Sequence, residues 1–515
     1  MNKIFKILGI TFILTICVNC SEDFLKTEPT DRIAEDYFWT QEKDGILATN
    51  ACYPSLGVFR IFAFEACSDN AVANKTWTDA YPIGNGSITS SPTEGGGYWP
   101  TDLWREAYQG IGRANAVIEG IENITYTDES LKNRLKGEAL FMRSYLYNIL
   151  INLYGDVPYF DKPIALIEDS QVPRTSKDEI ATNIVKDLDM AINYLPLNYD
   201  KTNVGRITKG AALALKARVY LWQNKYQEAR DAAKAVIDLG VYQLYPNYSE
   251  LFTYNTENNV EIILDQQYMP TLRVHGSFSD LAPRSCQGNS NYVPTRKLVD
   301  AYESNDPRLN ATILLPLEVN PWLDGNIIFD PTPGSGSVDE VSISYLATAT
   351  GYHFKKYVLK EDVQYPSRCN INLVYIRYAD VLLMFAESEN EISGPTNEAY
   401  AAINQVRARA RGSSSSILPD LNGLTKEGFR EAVRKERNVE LAEEGLKYFD
   451  LLRWKTAETA LVGKVYGMDY IDISTGQPKT VEVENRAFNT GRNYFWPIPE
   501  SEIRLNTNLT QNPLF

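Results

Sequence analysis

Two stretches set far apart in the chain constrain its fold more than any other feature. Thr208–Gly240 reads TKGAALALKARVYLWQNKYQEARDAAKAVIDLG, and Tyr378–Arg411 reads YADVLLMFAESENEI, a Ser393-Gly394-Pro395 break, then NEAYAAINQVRARAR. In each, apolar and small residues recur at three- and four-residue steps on both sides of a short polar turn, the pattern of two antiparallel helices. Ala217, Tyr220, Tyr226 and Ala229 fall at the spacing of a tetratricopeptide (TPR) unit, with Ala233 and Val236 departing from it; Ala386 and Ala399 take the small positions of the second hairpin. The two hairpins are too distant for a tandem array. The expected fold is therefore mainly α: a TPR-like helical-repeat scaffold interrupted by one large irregular insertion with short strands.

The rest of the chain fits that frame. Thr101–Glu122 carries Leu103, Ala107, Ile111, Ala114 and Ile118 on one stripe, and Asp128–Leu153 does the same over a longer run that Gly155 and Pro158 stop. Ser176–Leu195 opens on Ser176 with Glu179 three residues on, a capping signature, and closes before Pro196. Asp31–Phe59 and Thr425–Trp454 also read as helices, whereas Phe62–Pro100 loses all periodicity and Gly463–Gly491 looks loose. The insertion, residues 241–374, is rich in Pro, Gly, Asn and Ser, with β-like runs at Val260–Leu264 and Ile371–Tyr375. Irregular stretches this long inside a folded chain are usually functional, and binding residues concentrate on loops held by a rigid scaffold.

The N-terminus places the protein outside the cytoplasm. Lys3 and Lys6 precede the apolar run Ile7–Ile16, which is long enough for a secretory signal core and too short to span a bilayer. The run ends at Cys17-Val18-Asn19-Cys20, followed by Ser21-Glu22-Asp23. The pattern resembles a bacterial lipoprotein signal, with residues 1–19 removed and Cys20 carrying the lipid; Asn19 stands where Gly, Ala or Ser is usual. Removing Lys3 and Lys6 with the signal takes the net charge from −15 to −17. That surface repels nucleic acid and anionic headgroups, and it favours neutral over anionic ligands. Cys52, Cys67, Cys286 and Cys369 remain in the mature chain without any CxxC, so they form no disulfide scaffold, and pairing of Cys52 with Cys67 is left open.

Chemistry of the enzymatic kind finds little support. His275 and His353 are the only histidines, which leaves no material for a His-based zinc site or a nucleophilic triad. Glu436, Glu440, Glu443 and Glu444 put carboxylates one turn apart, as a glycosidase would. Arg434, Lys435, Arg437 and Arg453 lie among them, however, and interleaved opposite charges on a helix form structural ion pairs. Glu138 and Arg143 are read the same way. Asp324-Gly325-Asn326 suits a turn and offers too few carboxylates for calcium. No metal or cofactor is expected.

The aromatic residues are more informative: 32 Tyr, 19 Phe and 8 Trp. Tyr and Trp combine a flat apolar face with a polar tip, so they suit half-wet surfaces that recognise ligands beside planar polar groups. Trp77 is the leading candidate for such a contact, because Asp69 and Asn74 precede it in the first irregular region. Tyr98, Trp99, Phe278 and Trp322 follow from composition and from their place in the two irregular regions; the competing reading for each is a ring that pins its loop. Trp104, Trp222, Trp454 and Trp496 lie in helical or closing segments and read as core.

Taken in order, several stretches resemble the SusD/RagB family of outer-membrane glycan-capture lipoproteins. They are EDFLKTEPTDRI just after Cys20; Ser68-Asp69-Asn70-Ala71; LWREAYQGIGRANAVI; EALFMRSYLYNILINLYGDVPYF; the Thr208–Gly240 hairpin; YIRYADVLLMFAESENEI; VRKERNVELAEEGLKYFDLLRW; and WPIPESEIRLNTNLTQNP. Leu446-Lys447 and the ending Leu514-Phe515 depart from the family pattern. The resemblance implies a lipid-anchored protein of the outer membrane, facing the exterior and without catalytic activity. It would cap a SusC-like TonB-dependent transporter, bind oligo- or polysaccharide and deliver it to the barrel. It also implies that sugar-facing side chains come from the first loop and the insertion, which carries over to Trp77 and to Arg60 and Tyr292. The expected organisation is a signal over residues 1–19, an N-terminal part over 20–240 with the ligand loop at 60–100, the insertion at 241–374 and a C-terminal part over 375–515. Two alternatives follow from the same residues: peptide capture on the same architecture, and a surface glycosidase using Glu436.

Overall fold

A computed structural model describes residues 38–91, 99–341 and 343–515. The Cys20 anchor and its lead-in lie outside the described residues, as does Tyr98. Eight long helices form the scaffold: α1 (Trp99–Gly120), α2 (Glu129–Leu153), α3 (Lys177–Tyr194), α4 (Lys209–Trp222), α5 (Tyr226–Asp238), α6 (Tyr378–Ser393), α7 (Asn397–Arg411) and α8 (Lys426–Glu440). Five of their starts are set by side chains at the preceding residue. The oxygens of Asp128, Ser176, Thr208, Thr396 and Thr425 accept backbone N–H groups of the first turn, which satisfies donors that would otherwise be orphaned.

The helices pack in sequence order, each on the next, from α1 through to α5. Then α5 packs directly on α6, although the whole insertion separates them in the chain. The two hairpins that stand apart in sequence therefore stack in space as one array. Ala217, Ala229, Ala386 and Ala399 are all fully buried, which is what close approach of helix backbones requires. The neck of the insertion is closed by the two runs read as strands: β2 (Ile262–Gln266) pairs antiparallel with β6 (Leu373–Arg377), and β6 runs straight into α6.

Buried charge ties the insertion to the helices. Arg377, on β6 and fully buried, reaches Glu261 at 2.7 Å, Glu440 at 2.6 Å and Glu444 at 2.7 Å. Arg308 of the insertion reaches Asp306 at 2.8 Å and Glu440 at 2.9 Å, and also bonds Glu436. Arg407 and Arg409 on α7 complete the lattice through Glu436 at 3.0 Å and Glu261 at 2.9 Å. A second group, Arg218, Asp380, Arg437, Asp450 and Arg453, joins α4, α6 and α8 to the short helix Lys447–Arg453.

Several sequence expectations are corrected here. Within the described residues, the helix expected over Asp31–Phe59 is confined to Glu42–Asn50; Pro54 and Gly57 then favour a 3₁₀ turn over Tyr53–Val58. The region Phe62–Pro100 is less irregular than it reads, because a helix at Ile61–Ala66, strand β1 (Ala71–Ala73) and a short helix at Tyr81–Gly84 lie within or just before it. Thr425–Trp454 is not one helix. It breaks after Glu440, where Glu443 and Gly445 take φ of +65° and +72°. Gly445 is needed there: a Cβ would sit 2.7 Å from the Ile61 carbonyl oxygen. Gly463–Gly491 contains a long hairpin, β7 (Gly463–Ile471) with β8 (Pro478–Arg486), closed by a turn in which Asp472 accepts the Ser474 and Thr475 N–H groups. Cys52 and Cys67 do not pair; all four described cysteines are buried free thiols.

Candidate functional site

The first irregular region and the insertion meet at a small antiparallel ribbon. Strand β1 pairs with β3 (Tyr292–Pro294), with Ala73 opposite Tyr292. Asn74 extends the ribbon by donating its N–H to the Asn291 carbonyl at 2.8 Å. Its side-chain amide then donates to the Ala347 carbonyl at 2.8 Å, so the loop after β1 is tied to the turn at 344–347. Ser290 holds the same turn by donating its hydroxyl to the Leu346 carbonyl at 2.9 Å.

Past Asn74 the chain makes a tight turn, in which the Lys75 carbonyl accepts both the N–H and the hydroxyl of Thr78. That turn projects Trp77 outward. Trp77 keeps 66% of its surface exposed, and Tyr345, on the tied turn, keeps 67%. Their ring centroids are 5.8 Å apart with an interplanar angle of 63°. Two large rings left this bare, side by side and held by backbone bonds, are unusual on a folded surface unless they contact something. Lys75, two residues before Trp77, is buried with no hydrogen-bond partner for its amine, and burial lowers that amine to about 8.

The other expected site residues separate into two groups. Arg60 and Tyr292 lie close by. Arg60 is one-third exposed and bonds Asp79 at 3.0 Å and Glu106 at 3.2 Å, and Tyr292 is partly buried on β3. Asp79 is raised by burial against the opposing pull of Arg60. Trp99, Phe278 and Trp322, by contrast, are core residues. Trp99 is 1% exposed and packs edge-on against Trp496 at 5.1 Å. Phe278 is fully buried beside Trp322, whose indole N–H donates to the Val358 carbonyl at 2.9 Å. These three pin loops rather than face solvent, which corrects the expectation of sugar contact. Trp104, Trp222 and Trp496 are buried as expected; Trp454 is only partly so, its N–H bonding Glu387 at 2.8 Å. The sequence reading missed Tyr345. It stands in SISY, a short polar stretch with no periodicity, and only the tie from Asn74 to Ala347 brings it beside Trp77.

Asp69 belongs to a different place. It lines a cavity of about 830 Å³ between residues 295–301, the turn after α8 and the β7–β8 hairpin. Burial would raise its carboxyl, but Lys447 and Lys297 together bring it below the ordinary value, with Lys297 at 2.8 Å. The other charged walls are also matched: Arg296 with Asp300 and Asp469, Lys464 with Glu482, and Arg486 with Glu484. The cavity is roomy, yet its charges are spent on one another, and the exposed ring pair lies outside it.

The carboxylates on α8 are locked. Glu436 and Glu440 are 2% and 0% exposed and sit inside the arginine lattice. Burial opposes ionisation of Glu440, but Arg409, Arg377 and Arg308 carry its carboxyl down to about 2. Buried this deeply, neither can meet a glycosidic bond, and Glu440 cannot hold a proton to donate, so Glu436 does not serve the glycosidase alternative. Glu444 is ion-paired as expected, but to Arg377 and Lys356; the interleaved Arg434, Lys435, Arg437 and Arg453 take Glu431, Glu303, Asp380, Asp450 and Glu387 instead. Glu443 differs: it is fully buried, neither oxygen accepts a hydrogen bond, and burial pushes its carboxyl well above the carboxylate range. Glu138 and Arg143 are both ion-paired, though not to each other; Arg206 takes Glu138 and Asp187 takes Arg143. Among the described residues no cluster of three potential metal ligands occurs, and no helix is long and apolar enough to cross a membrane.

Comparison with known proteins gives one consistent answer. Residues 220–515 match the model of the SusD family, and residues 24–221 match a model described as starch-binding, associating with the outer membrane. A SusD-like protein of Formosa agariphila is 28% identical over 485 residues, covering 88% of this chain and 90% of its own. A crystal structure of a SusD-like carbohydrate-binding protein from Bacteroides fragilis superposes with a TM-score of 0.83 at 27% identity, over 92% of this chain and 100% of that one. A laminarin-binding SusD-like protein superposes with a TM-score of 0.75 at 25% identity, again over 92% of this chain and 100% of the other.

Proposed function

This chain belongs to the SusD family, and on that premise we propose that it captures glycans at the cell surface without acting on them chemically. In this reading Cys20 is lipidated and holds the protein on the outer membrane. Oligo- or polysaccharide docks on the Trp77–Tyr345 platform, and the bound chain passes to a SusC-like TonB-dependent transporter for uptake. The observation that carries the reading is the pair of bare rings, each about two-thirds exposed, fixed by the bond from Asn74 to the 344–347 turn. Such rings offer apolar faces to pyranose C–H groups, and Arg60 and Asp79 nearby offer polar partners for hydroxyls. The names of the B. fragilis and laminarin-binding neighbours support the same class of ligand. Tethering raises the local concentration of ligand at the transporter, so a modest affinity suffices.

The test is titration of the mature protein against neutral polysaccharides (laminarin, amylopectin, xylan and galactomannan) and against a mixture of peptides. Binding to at least one glycan, weakened several-fold to about tenfold in Trp77→Ala, is expected, since a stacked ring contributes roughly 0.5–1.5 kcal/mol. Peptide binding with no glycan binding would replace the reading by peptide capture. Cys20→Ala is expected to move the protein from the membrane fraction to the soluble one.

A further inference from the structure

A second cavity, about 380 Å³, opens within the insertion between the turn at 269–273 and the segment 361–370. Four independent features converge on it. Tyr365 presents a ring that is 59% exposed. Arg368 beside it is exposed and forms no ion pair among the described residues. Asp362 is 93% buried in the wall; one oxygen accepts the Tyr254 hydroxyl at 2.7 Å, and the other has no partner beyond the weak thiol of Cys369. Thr271, at the tip of the facing turn, has φ of +67°, a conformation that a β-branched residue adopts only under strain.

We propose that this cavity is a second saccharide subsite, separate from the Trp77–Tyr345 platform, that takes one or two pyranose rings of a neutral glycan. The Tyr365 ring supplies the apolar face. Arg368 donates to ring or hydroxyl oxygens, and Asp362 and Asn370 supply planar polar groups for hydroxyls. Glu361 at the rim and Asp362 in the wall outnumber Arg368 by one acidic group, so the site repels anionic chains and suits an uncharged ligand. The volume is ligand-sized but small, enough for a short stretch of chain. A polymer engaging both this cavity and the platform gains by the second contact being intramolecular, whereas an oligomer too short to reach both does not. The inference rests on the saccharide reading above, and the experiment separates the two.

Wild type, Trp77→Ala, the double variant Tyr365→Ala/Arg368→Ala and the triple variant are run in affinity gels containing laminarin or another of the four polysaccharides that retards the wild type. Each is also titrated with a pentasaccharide of the same glycan. Tyr365 and Arg368 are exposed, so the double variant should melt at the wild-type temperature. The double variant is expected to lose about tenfold in polysaccharide affinity while its pentasaccharide titration is unchanged. Trp77→Ala should keep weak retardation that the triple variant lacks. If the double variant is retarded like the wild type, or if the residual binding of Trp77→Ala survives in the triple variant, this subsite is refuted while the platform stands. If only the double variant loses binding, the platform reading falls and this one stands. No retardation of the wild type by any of the four defeats both.

Discussion

Replacing Glu440 by Gln removes one charge from the centre of the buried lattice while keeping the shape of the side chain. Glu440 is fully buried and accepts from Arg308 at 2.9 Å, Arg377 at 2.6 Å and Arg409. Breaking a buried pair by removing one partner costs about 3–5 kcal/mol, because the remaining charge stays desolvated. An independent route gives a similar figure. The carboxyl lies at about 2 against an ordinary 4.5, and that depression is worth roughly 3 kcal/mol of stability at neutral pH. For a chain of 515 residues the unfolding entropy near 60 °C is about 1 kcal/mol per degree, so Tm should fall by roughly 3–5 °C. Glu431→Gln on the same helix is the control: its carboxylate is 71% exposed beside Arg434, and its loss should shift Tm by less than about 1 °C. The pH dependence has a fixed sign. The folded-state pKa is below the unfolded one, so the stabilisation is complete above about pH 4.5 and is lost as pH falls toward 2. Calorimetry should therefore show the gap between wild type and Glu440→Gln shrinking by more than half between pH 6 and pH 3. Equal small shifts for the two variants, or a gap that does not narrow in acid, would refute this account of the lattice.

The remaining predictions are shorter. Lys75→Met should stabilise the protein at pH 7: the buried amine is lowered to about 8 from 10.5, so its charged form is penalised, and the advantage of Met should vanish as pH rises from 8 through 10.5. Gly445→Ala meets the Ile61 carbonyl at 2.7 Å with φ of +72°, and should cost about 2 kcal/mol or more, read as a Tm drop of roughly 2 °C or more. Asn74→Ala cuts the tie to Ala347; amides at 344–348 should exchange faster and glycan affinity should fall several-fold, with Tm changed by less than about 1 °C.

How much was legible in the sequence follows the range of the interactions involved. Helices α1 to α7 could be read because their signals are local: apolar residues at helical spacing, a capping oxygen, a Gly or Pro stop. The break after Glu440 could not, because its cause is distant. The helical pattern continues through Leu446, and only the Ile61 carbonyl packed under Gly445 forces the turn. The β7–β8 hairpin was missed for a local reason, since its polar outward face alternates with few buried residues and its turn at 472–477 reads as loop. The candidate site shows the same division. Trp77 was found from its polar neighbours in a loop, but Trp99, Phe278 and Trp322 share that composition and are buried. Tyr345 carries no local mark at all, because its exposure beside Trp77 is created by a hydrogen bond spanning 273 residues.

The buried arginine lattice and the ring platform are parts of one design. Buried ion pairs add little net stability over apolar packing, so their presence calls for another reason. Here they hold an irregular segment, residues 241–374, against helices that would otherwise stack as an uninterrupted repeat. Glu261, Arg308, Lys356 and Arg377 are contributed at or near the ends of short elements, where regular backbone pairing is scarce. Their geometry is directional, unlike apolar contact, and so fixes one placement of the loops. The β1–β3 ribbon and the 344–347 turn hang from that placement. A platform fixed before ligand arrives loses less conformational entropy on binding, which matters most for a flexible glycan chain that brings its own entropy cost. Weakening the lattice should therefore lower glycan affinity even where Trp77 and Tyr345 are untouched, and Glu440→Gln, distant from both rings in sequence, supplies the case in which to see it.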